Sequence, residues 1–521
     1  MPFNLNSHLG NEIFDSLRKS PFQPLLCDYG LPKKKKYSRS LVLSLSLLLS
    51  AILNKSKVGP YVGVVLPTGI AGITVNFALF LCGRVPVNLN YTLGRESSRE
   101  IIDQTNIKTV ITASKMVEKF PQFPWPKNCI LVENVLKDIS ANWWLMASTF
   151  ISVLFFPDRV KSRFDIPKIG GNQTAVLLFT SGSSGKPKGV PLSHSNILAN
   201  CNQLYGLELF KSQSRVLFNL PLFHSFGLSI GMIFSSLRGL YLCTAPNPLD
   251  YKLNLKVIRE QGIGILLGTP TFLRGLLKNA KDKDLKSVHY VVAGAEKSPD
   301  KFRCQWESEV GCEYLEGYGL TETSPAISFN LPGDGKRSGS VGRLLDGIEC
   351  RAIDPESGAK TSLKEGGVLC FRGPNVFTGY WMDPHRSSEV INSDGWFQTG
   401  DVGRLDDDGF LWIEGRISRF SKIGGEMIPH GKVEEVILDM LNIGDSDEPK
   451  LVVSSVQDDQ KGERLLLVSS IELNIKEIRT GLKNQGIPNL WIPKDYRKVT
   501  KIPLLPTGKI DWEKVRSLVK D

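Results

Sequence analysis

No Cys-x-x-Cys pair occurs among the nine cysteines of this 521-residue chain. Their scatter excludes a zinc ribbon and a disulfide framework, and points to reduced thiols in a cytosolic protein. The opening "MPFNLNSHLGNEIFDSLRKS" lacks a basic-then-apolar leader. No G-x-x-x-x-G-K-[ST] loop is present, which excludes a Walker A nucleotide site. There is no internal repeat, no low-complexity linker and no nucleic-acid-binding module, so the expected partners do not include nucleic acid.

What is there belongs to a globular protein: 41% hydrophobic and 22% charged residues, in a chain too long for one ordinary domain. The net charge of +11 suits an anionic partner, whether nucleotide, acidic protein or membrane surface. "KKKK" at Lys33–Lys36 is the densest basic patch and reads as a solvated loop.

The apolar run Val176–Phe179 suits a strand buried on both faces. It leads into "TSGSSGKPKG", Thr180–Gly189. Gly182, Gly185 and Gly189 let amide N–H groups converge on one point. Thr180, Ser181, Ser183 and Ser184 add hydroxyls, and Lys186 and Lys188 add charge. Such a stretch fits a polyphosphate, and composition alone leaves a solvated turn open.

Two apolar stretches need placing. Leu41–Leu53, "LVLSLSLLLSAIL", is short and serine-laced and reads as a buried helix. Ile139–Pro157 carries no charge over 19 residues. Its helical wheel puts Trp143, Trp144, Met146, Phe150, Ile151, Leu154 and Phe155 on one side. Asn142, Ser148, Thr149 and Ser152 lie opposite. An amphipathic helix of this kind packs on a core or lies on a membrane surface more readily than it spans one. "DRVKSRF" follows and suits anionic headgroups. Both readings stay open, with residues 141–163 as the candidate membrane contact.

Short β-rich runs alternate with helical patterns through most of the chain: "YVGVVLP", "TVITAS", "AVLLFTSG", "RVLFNLP", "GILLGTP" and "VHYVVAGA". This predicts βαβ units and largely parallel sheets, with a ligand beyond the strands' carboxyl ends. From about Ser338 the texture turns to antiparallel sheet or barrel, and a small α+β segment follows Arg416.

The turns after these strands form an ordered series: "TSGSSGKPKG", "LPLFHSFG", "VVAGAEK", "LEGYGLTETSP", "GWFQTGDVGRL", "EGRISRFSKIGGEM" and "LPTGKID". In this order they resemble the adenylate-forming superfamily of acyl-CoA synthetases, peptide-synthetase adenylation domains and luciferases. The resemblance runs from the glycine-rich stretch to Lys509; before Gly170 only "GRVPVNLNYTLGRESSREII" shares it. It implies an α/β fold: a large N-terminal domain of two α/β subdomains plus a β-barrel, residues 1–415, and a small mobile α+β domain, residues 416–521. It also implies two half-reactions. A carboxylate and ATP give acyl-AMP and pyrophosphate; a thiol then displaces AMP.

The resemblance also assigns roles. Thr180, Ser181, Gly182, Ser183, Ser184, Gly185, Lys186 and Lys188 would hold the pyrophosphate, with Mg²⁺ on Glu322. Thr321 would bond a phosphate. Tyr318 would stack on adenine, with the backbone of Gly294, Ala295 and Glu296 and of Glu316 and Gly317 lining the other side, and Gly319 would belong to the same nucleotide site. Asp401 would accept both ribose hydroxyls, and Arg416 would donate to ribose or phosphate. His224 would lie near the reacting carboxylate, although a histidine there also suits a core. Lys509 would bridge carboxylate and α-phosphate. The chain departs from the pattern at the pivot, where Ser418, followed by Arg419, replaces the usual Asp or Lys.

Within the superfamily, "GRISRFSKIGGEM" and "PVNLNYTLG" are most similar to acyl–acyl carrier protein synthetases, including the synthetase half of the bifunctional bacterial 2-acylglycerophosphoethanolamine acyltransferase. The H-x-x-x-x-D motif of that acyltransferase is missing: His8 is followed five residues on by Ile13, and His224 by Ser229. The resemblance therefore implies fatty acid, ATP, Mg²⁺ and acyl carrier protein, with coenzyme A as the alternative acceptor. It places the protein in the cytoplasm, peripheral on the inner face of the membrane.

Overall fold

Continuous apolar runs need both faces covered, and here they build two parallel sheets. The computed structural model describes residues 2–56, 58–181, 186–207, 209–281, 283–424, 426–443, 448–458, 462–504 and 510–520. One sheet orders Val85–Asn88, Tyr61–Val65, Thr109–Thr112 and Asn128–Leu131, all parallel. The other has nine strands. Its parallel centre runs Pro24–Asp28, Tyr241–Thr244, Arg215–Phe218, Ile265–Gly268, Tyr290–Ala293 and Glu313–Gly319. Antiparallel strands close each side: Lys35–Ser38 at one edge, Ala326–Phe329 and Arg343–Leu344 at the other. Two of the lysines read as a solvated loop thus lie on an edge strand, where charge discourages pairing with another chain.

The run Val176–Phe179 finds a different partner from the one expected. Its strand, Thr174–Ser181, pairs only with Pro187–Ser193, antiparallel, with Thr180 opposite Lys188. Val176, Leu177 and Leu178 are nonetheless fully buried. The chain doubles straight back, so the glycine-rich stretch joins a hairpin rather than a strand-to-helix crossover.

After Ser338 the sheet is antiparallel, as the turn chemistry predicts: Lys360–Thr361, Glu349–Ile353, Gly367–Arg372, Phe397–Leu405 and Leu411–Arg416, in that order. Its outer strands do not pair with each other among the described residues; beyond Leu411 the segment 341–343 continues the curve, with the Val341 N–H donating to the Leu411 carbonyl and the Leu411 N–H to the Gly342 carbonyl. Beyond Arg416, Phe420–Ile423, Glu426–Pro429, Leu451–Asp458, Gly462–Ser469 and Asp495–Lys498 form a further sheet. Ile423, Val433, Ile437, Leu451 and Leu467 pack there in a core of their own.

Leu41–Leu53 lies in the buried helix Arg39–Lys55. Ser38 caps it, its Oγ accepting from the Leu41 N–H. The Ser46 and Ser50 hydroxyls donate to the Val42 and Leu47 carbonyls, at 2.8 and 2.7 Å. That back-bonding lets serines sit in an apolar helix. The nine cysteines are all free thiols.

Ile139–Pro157 divides its residues between core and surface. It is not one helix but parts of three: Val132–Ala141, Trp143–Phe155 and Pro157–Arg163. In the middle helix Thr149 and Val153 are buried, while Trp143, Trp144, Ile151 and Phe155 are exposed. The aromatic side of the wheel is split, with Met146, Phe150 and Leu154 half-buried.

An N-terminal contact carries a pH dependence. The rings of His8 and His194 lie 3.8 Å apart, both buried. The Gly10 N–H donates to His8 Nδ1 and the Leu9 N–H to His194 Nδ1, at 3.0 and 3.1 Å. Both Nδ1 atoms accept, so both rings are neutral. Burial lowers His8 to about 4, and burial with the neighbouring His8 lowers His194 to about 3, against an ordinary 6.5. The unfolded chain therefore takes up these protons first. Stability is full above pH 6.5 and falls as pH drops toward 4, by about 1.4 kcal/mol per unit for each ring. His8→Asn keeps a helix-capping acceptor without a titratable ring. The stability lost between pH 7 and 5 in urea unfolding should shrink by about 2 kcal/mol in that variant. An undiminished loss would refute the account.

Candidate active site

Three strands of the nine-stranded sheet end side by side, and their following turns form one surface. Gly294, just past Tyr290–Ala293, comes so close to Glu313–Gly319 that a Cβ on it would lie 3.4 Å from the Gly317 carbonyl. A Cβ on Gly319 would lie 1.8 Å from the Pro325 carbonyl oxygen. Only glycine allows that approach, and it folds residues 319–325 into a tight turn. The Leu320 N–H donates to Pro325 O at 3.1 Å, and the Thr323 hydroxyl donates to the same oxygen. Thr321 and Glu322 are presented at the tip, half-buried.

A loop from the antiparallel half braces this turn. Asn375 Nδ2 donates to the Thr323 and Ala326 carbonyls, and the Phe377 N–H to the Glu322 carbonyl. The Trp381 N–H donates to Gly189 O at 2.8 Å, and a Cβ on Gly189 would lie 2.7 Å from Trp381 Cβ. The hairpin that carries Thr180 and Lys188 is thereby held against the tip.

The side chains converge accordingly. The Tyr380 hydroxyl donates to Glu322 Oε1 at 3.0 Å. Lys188 Nζ lies 5.1 Å from the centre of the Tyr380 ring. Burial lowers the Lys188 ammonium, helped by the Arg386 and Arg416 charges and opposed by Glu322. Burial, then the Glu322 charge, raises the Tyr380 phenol. Lys188 and the Arg386 and Arg416 charges that act on it share this region with the Glu322 carboxylate, a charge balance that suits a polyphosphate entering with a divalent ion.

On the other flank the Tyr318 hydroxyl donates to Asp401 Oδ2 at 2.6 Å, and Arg416 Nε pairs with Asp401 Oδ1 at 3.0 Å. Asp401 and Arg416 are cross-strand partners. Burial pushes the Asp401 carboxyl up, while Arg416 and Tyr318 pull it down. Burial and the Asp401 charge hold the Tyr318 phenol well above its usual range. Thr321 Oγ1 lies 3.4 Å from Ser225 Oγ. His224, next to Ser225, is exposed on this face rather than in the core, its ring 4.8 Å from that of Phe223.

Other expected residues fare differently. Glu316 faces away: Arg303 Nη1 pairs with its buried carboxylate at 3.1 Å, and Asn330 N–H takes its carbonyl. The carboxylate is thereby held in the body of the domain, and the adenine lining expected here is a matter of the Glu316–Gly317 backbone. Glu296 accepts the N–H and hydroxyl of Thr271 at the start of the Pro270–Asn279 helix. Ala295, exposed, takes φ +69°, a left-handed conformation that costs about 1 kcal/mol without glycine. Lys186 is exposed beside the hairpin turn. Gly182, Ser183, Ser184, Gly185 and Lys509 lie outside the described residues, as does the Ser181 side chain. Sequence reasoning missed Tyr380, Arg386 and the bracing Asn375. Their stretch, "PNVFTGYWMDPHR", offers only a glycine among aromatics as a signal.

At the pivot, Arg416 is bound to Asp401 of the large body. Arg419 is bound into the small one, donating to Glu434 Oε1 and the Val453 carbonyl at 2.6 and 2.8 Å, with its guanidinium over Trp512. Ser418 stands between the two anchors.

No group of three or more Asp, Glu, His or Cys side chains that would cage a metal occurs among the described residues. Mg²⁺ needs no such cage: one or two carboxylates with phosphate oxygens and water suffice. Glu322 fits a cation that arrives with its triphosphate.

The family model for AMP-binding enzymes matches residues 21–381. The long-chain-fatty-acid–CoA ligase of Bacillus subtilis (strain 168) is 26% identical, over 97% of this chain and 93% of that protein. The mitochondrial medium-chain acyl-CoA ligase ACSF2 of Bos taurus is 32% identical, over 65% of this chain and 56% of that one. Among solved structures, ATP-bound MatB from Rhodopseudomonas palustris superposes with a TM-score of 0.80 at 23% identity, covering 99% of both chains. The o-succinylbenzoate–CoA synthetase MenE of Bacillus subtilis, in complex with ATP and magnesium ion, gives 0.79 at 22%, covering 98% of this chain and 99% of that one. At these identities the two structures establish the fold, with its large N-terminal and smaller C-terminal domain. The chain belongs to the AMP-binding enzyme family, within the adenylate-forming superfamily, and is an ATP-dependent, AMP-forming ligase.

Proposed function

We propose that the acid is a fatty acid and that the acceptor is the phosphopantetheine thiol of acyl carrier protein. The observation that carries the adenylation half is the convergence of Lys188, Glu322, Tyr318, Asp401 and Arg416 at one end of the strands. Lys188, with Arg386 and Arg416 near it, offsets the charge of a departing pyrophosphate. Glu322 would hold Mg²⁺, which draws charge from the phosphate oxygens when bound. Asp401 presents a carboxylate to a vicinal diol, with Tyr318 beside it to stack on the base. Residues 1–415 and 416–521 serve as the two moving bodies, with Ser418 at the junction. The reaction takes place in the cytoplasm, against a membrane.

For the acceptor, the support is the branch resemblance and the +11 net charge, which suits an acidic protein partner. A second reading makes coenzyme A the acceptor; the names of the relatives favour it. Salt separates the two. Docking of an acidic carrier on a basic surface is steered by charge, so the carrier KM should rise steeply from low to moderate ionic strength. Pyrophosphate exchange, confined to a small site, should respond far less. Carrier kinetics indifferent to salt, or coenzyme A proving the better acceptor at matched concentration, would replace the first reading with the second.

A further inference from the structure

We propose that the helix Trp143–Phe155, with Phe156 and Phe22 beside it, is a docking surface for an anionic phospholipid bilayer. The inference rests on placing the enzyme against a membrane, and names the surface and the lipid chemistry. The helix packs on the protein by one side, with Thr149 and Val153 buried and Met146, Phe150 and Leu154 half-buried. Outward it shows Trp143 at 56% exposure, Trp144 at 71%, Ile151 at 52% and Phe155 at 70%. Phe156 follows at 50%, and Leu136 of the preceding helix stands at 42%. Phe22, 72% exposed, extends the patch from the N-terminal side, its ring 6.3 Å from that of Phe150. The Trp143 and Trp144 rings stack at 3.6 Å. A contiguous patch this rich in aromatics marks an interaction site rather than ordinary surface.

The border of the patch selects the occupant. Residues 139–157 carry no charge, and the short helix Pro157–Arg163 follows at once. Arg159 sits over the Phe156 ring at 5.3 Å and Arg163 over Phe164 at 5.6 Å, both arginines exposed. Lys161 turns the other way, to Asn11 and Asp15 of the Leu9–Lys19 helix, and fixes the element in place. Guanidinium groups at the rim of an aromatic face meet lipid phosphates while the rings enter the acyl boundary. No helix among the described residues is long and apolar enough to cross a membrane. Thirteen residues lie in the interface plane instead.

The test is co-sedimentation of the full chain with phosphatidylcholine vesicles and with equal mixtures of phosphatidylcholine and phosphatidylglycerol. The wild type should bind the mixed vesicles, and 0.5 M salt should weaken the binding. Trp144→Ser with Phe155→Ser should weaken it by roughly 10²-fold, since two exposed rings lose their burial in lipid. Arg159→Glu with Arg163→Glu should abolish the preference for the anionic mixture. Melting temperature and pyrophosphate exchange with a soluble short acid should stay at wild-type values in both variants. A wild type that ignores both vesicle types sinks the membrane placement itself. A wild type that binds, with both variants binding equally well, sinks this surface and leaves the placement standing. A solution dimer broken by the serine variant, without vesicle binding, would make the face a protein interface and overturn the proposal.

Discussion

Lys509→Ala should reduce acyl-adenylate formation by on the order of 10²–10³-fold or more, the effect of removing one oriented charge donor. The lysine closes "PTGK", whose Pro and Gly set it apart in sequence from the basic tail that follows. Its described neighbours Leu504 and Ile510 bridge antiparallel, which ties both ends of the segment together. An ammonium that bridges carboxylate and α-phosphate stabilises charge only while the mixed anhydride forms. Transfer from supplied acyl-AMP to the thiol should therefore continue near the wild-type rate. ATP–pyrophosphate exchange reads the first step alone and thiol acylation from acyl-AMP the second. Exchange close to wild type in the variant, or equal loss in both assays, would remove Lys509 from the role.

The parallel sheets were legible because βαβ units write themselves as short apolar runs closed by turn residues, and each such run before Gly170 lies in a parallel sheet. Periodicity cannot tell which strand a run pairs with. Val176–Phe179 reads as a central parallel strand, yet it lies in a two-stranded hairpin, because its burial comes from side chains packed above and below rather than from flanking strands. The helix Trp143–Phe155 misled for a related reason. A wheel shows that two sides differ, not where the protein's cover ends, and here that boundary cuts through the aromatic side.

In the site, residues that act through a turn motif were readable, and residues that act by bracing were not. "YGLTE" and "TGD" single out Tyr318, Glu322 and Asp401 through the family resemblance, and the structure brings these side chains to one end of the strands. Tyr380, which bonds Glu322, lies 58 residues further on in a loop without a motif. Glu316 adds a side-chain role that the motif does not announce: Arg303, thirteen residues earlier, holds its carboxylate.

Asp401→Asn should lower kcat/KM for ATP by about 10²-fold, mostly through KM, and leave KM for the fatty acid unchanged. In the structure each Asp401 oxygen already accepts one hydrogen bond, from Tyr318 on Oδ2 and from Arg416 on Oδ1. A carboxylate has about four acceptor positions, so each oxygen keeps one for a ribose hydroxyl. Asparagine turns one oxygen into a donor, which faces either the Tyr318 hydroxyl or the Arg416 guanidinium, and it loses the charge as well. Hydrogen bonds to a charged group contribute about 1.5–3 kcal/mol each, and each 1.4 kcal/mol is tenfold. The loss of one such bond with weakening of the other gives the estimate. General damage to a buried pair would give a similar figure, so the decisive comparison uses 2′,3′-dideoxy-ATP. The wild type should prefer ATP over the dideoxy nucleotide by about the factor that the substitution costs. The variant, with no carboxylate for the diol to meet, should lose most of that preference. A variant that discriminates between the two nucleotides as sharply as the wild type would show that Asp401 does not hold the ribose. Its bonds to Tyr318 and Arg416 would then be a strut between the two halves of the large domain.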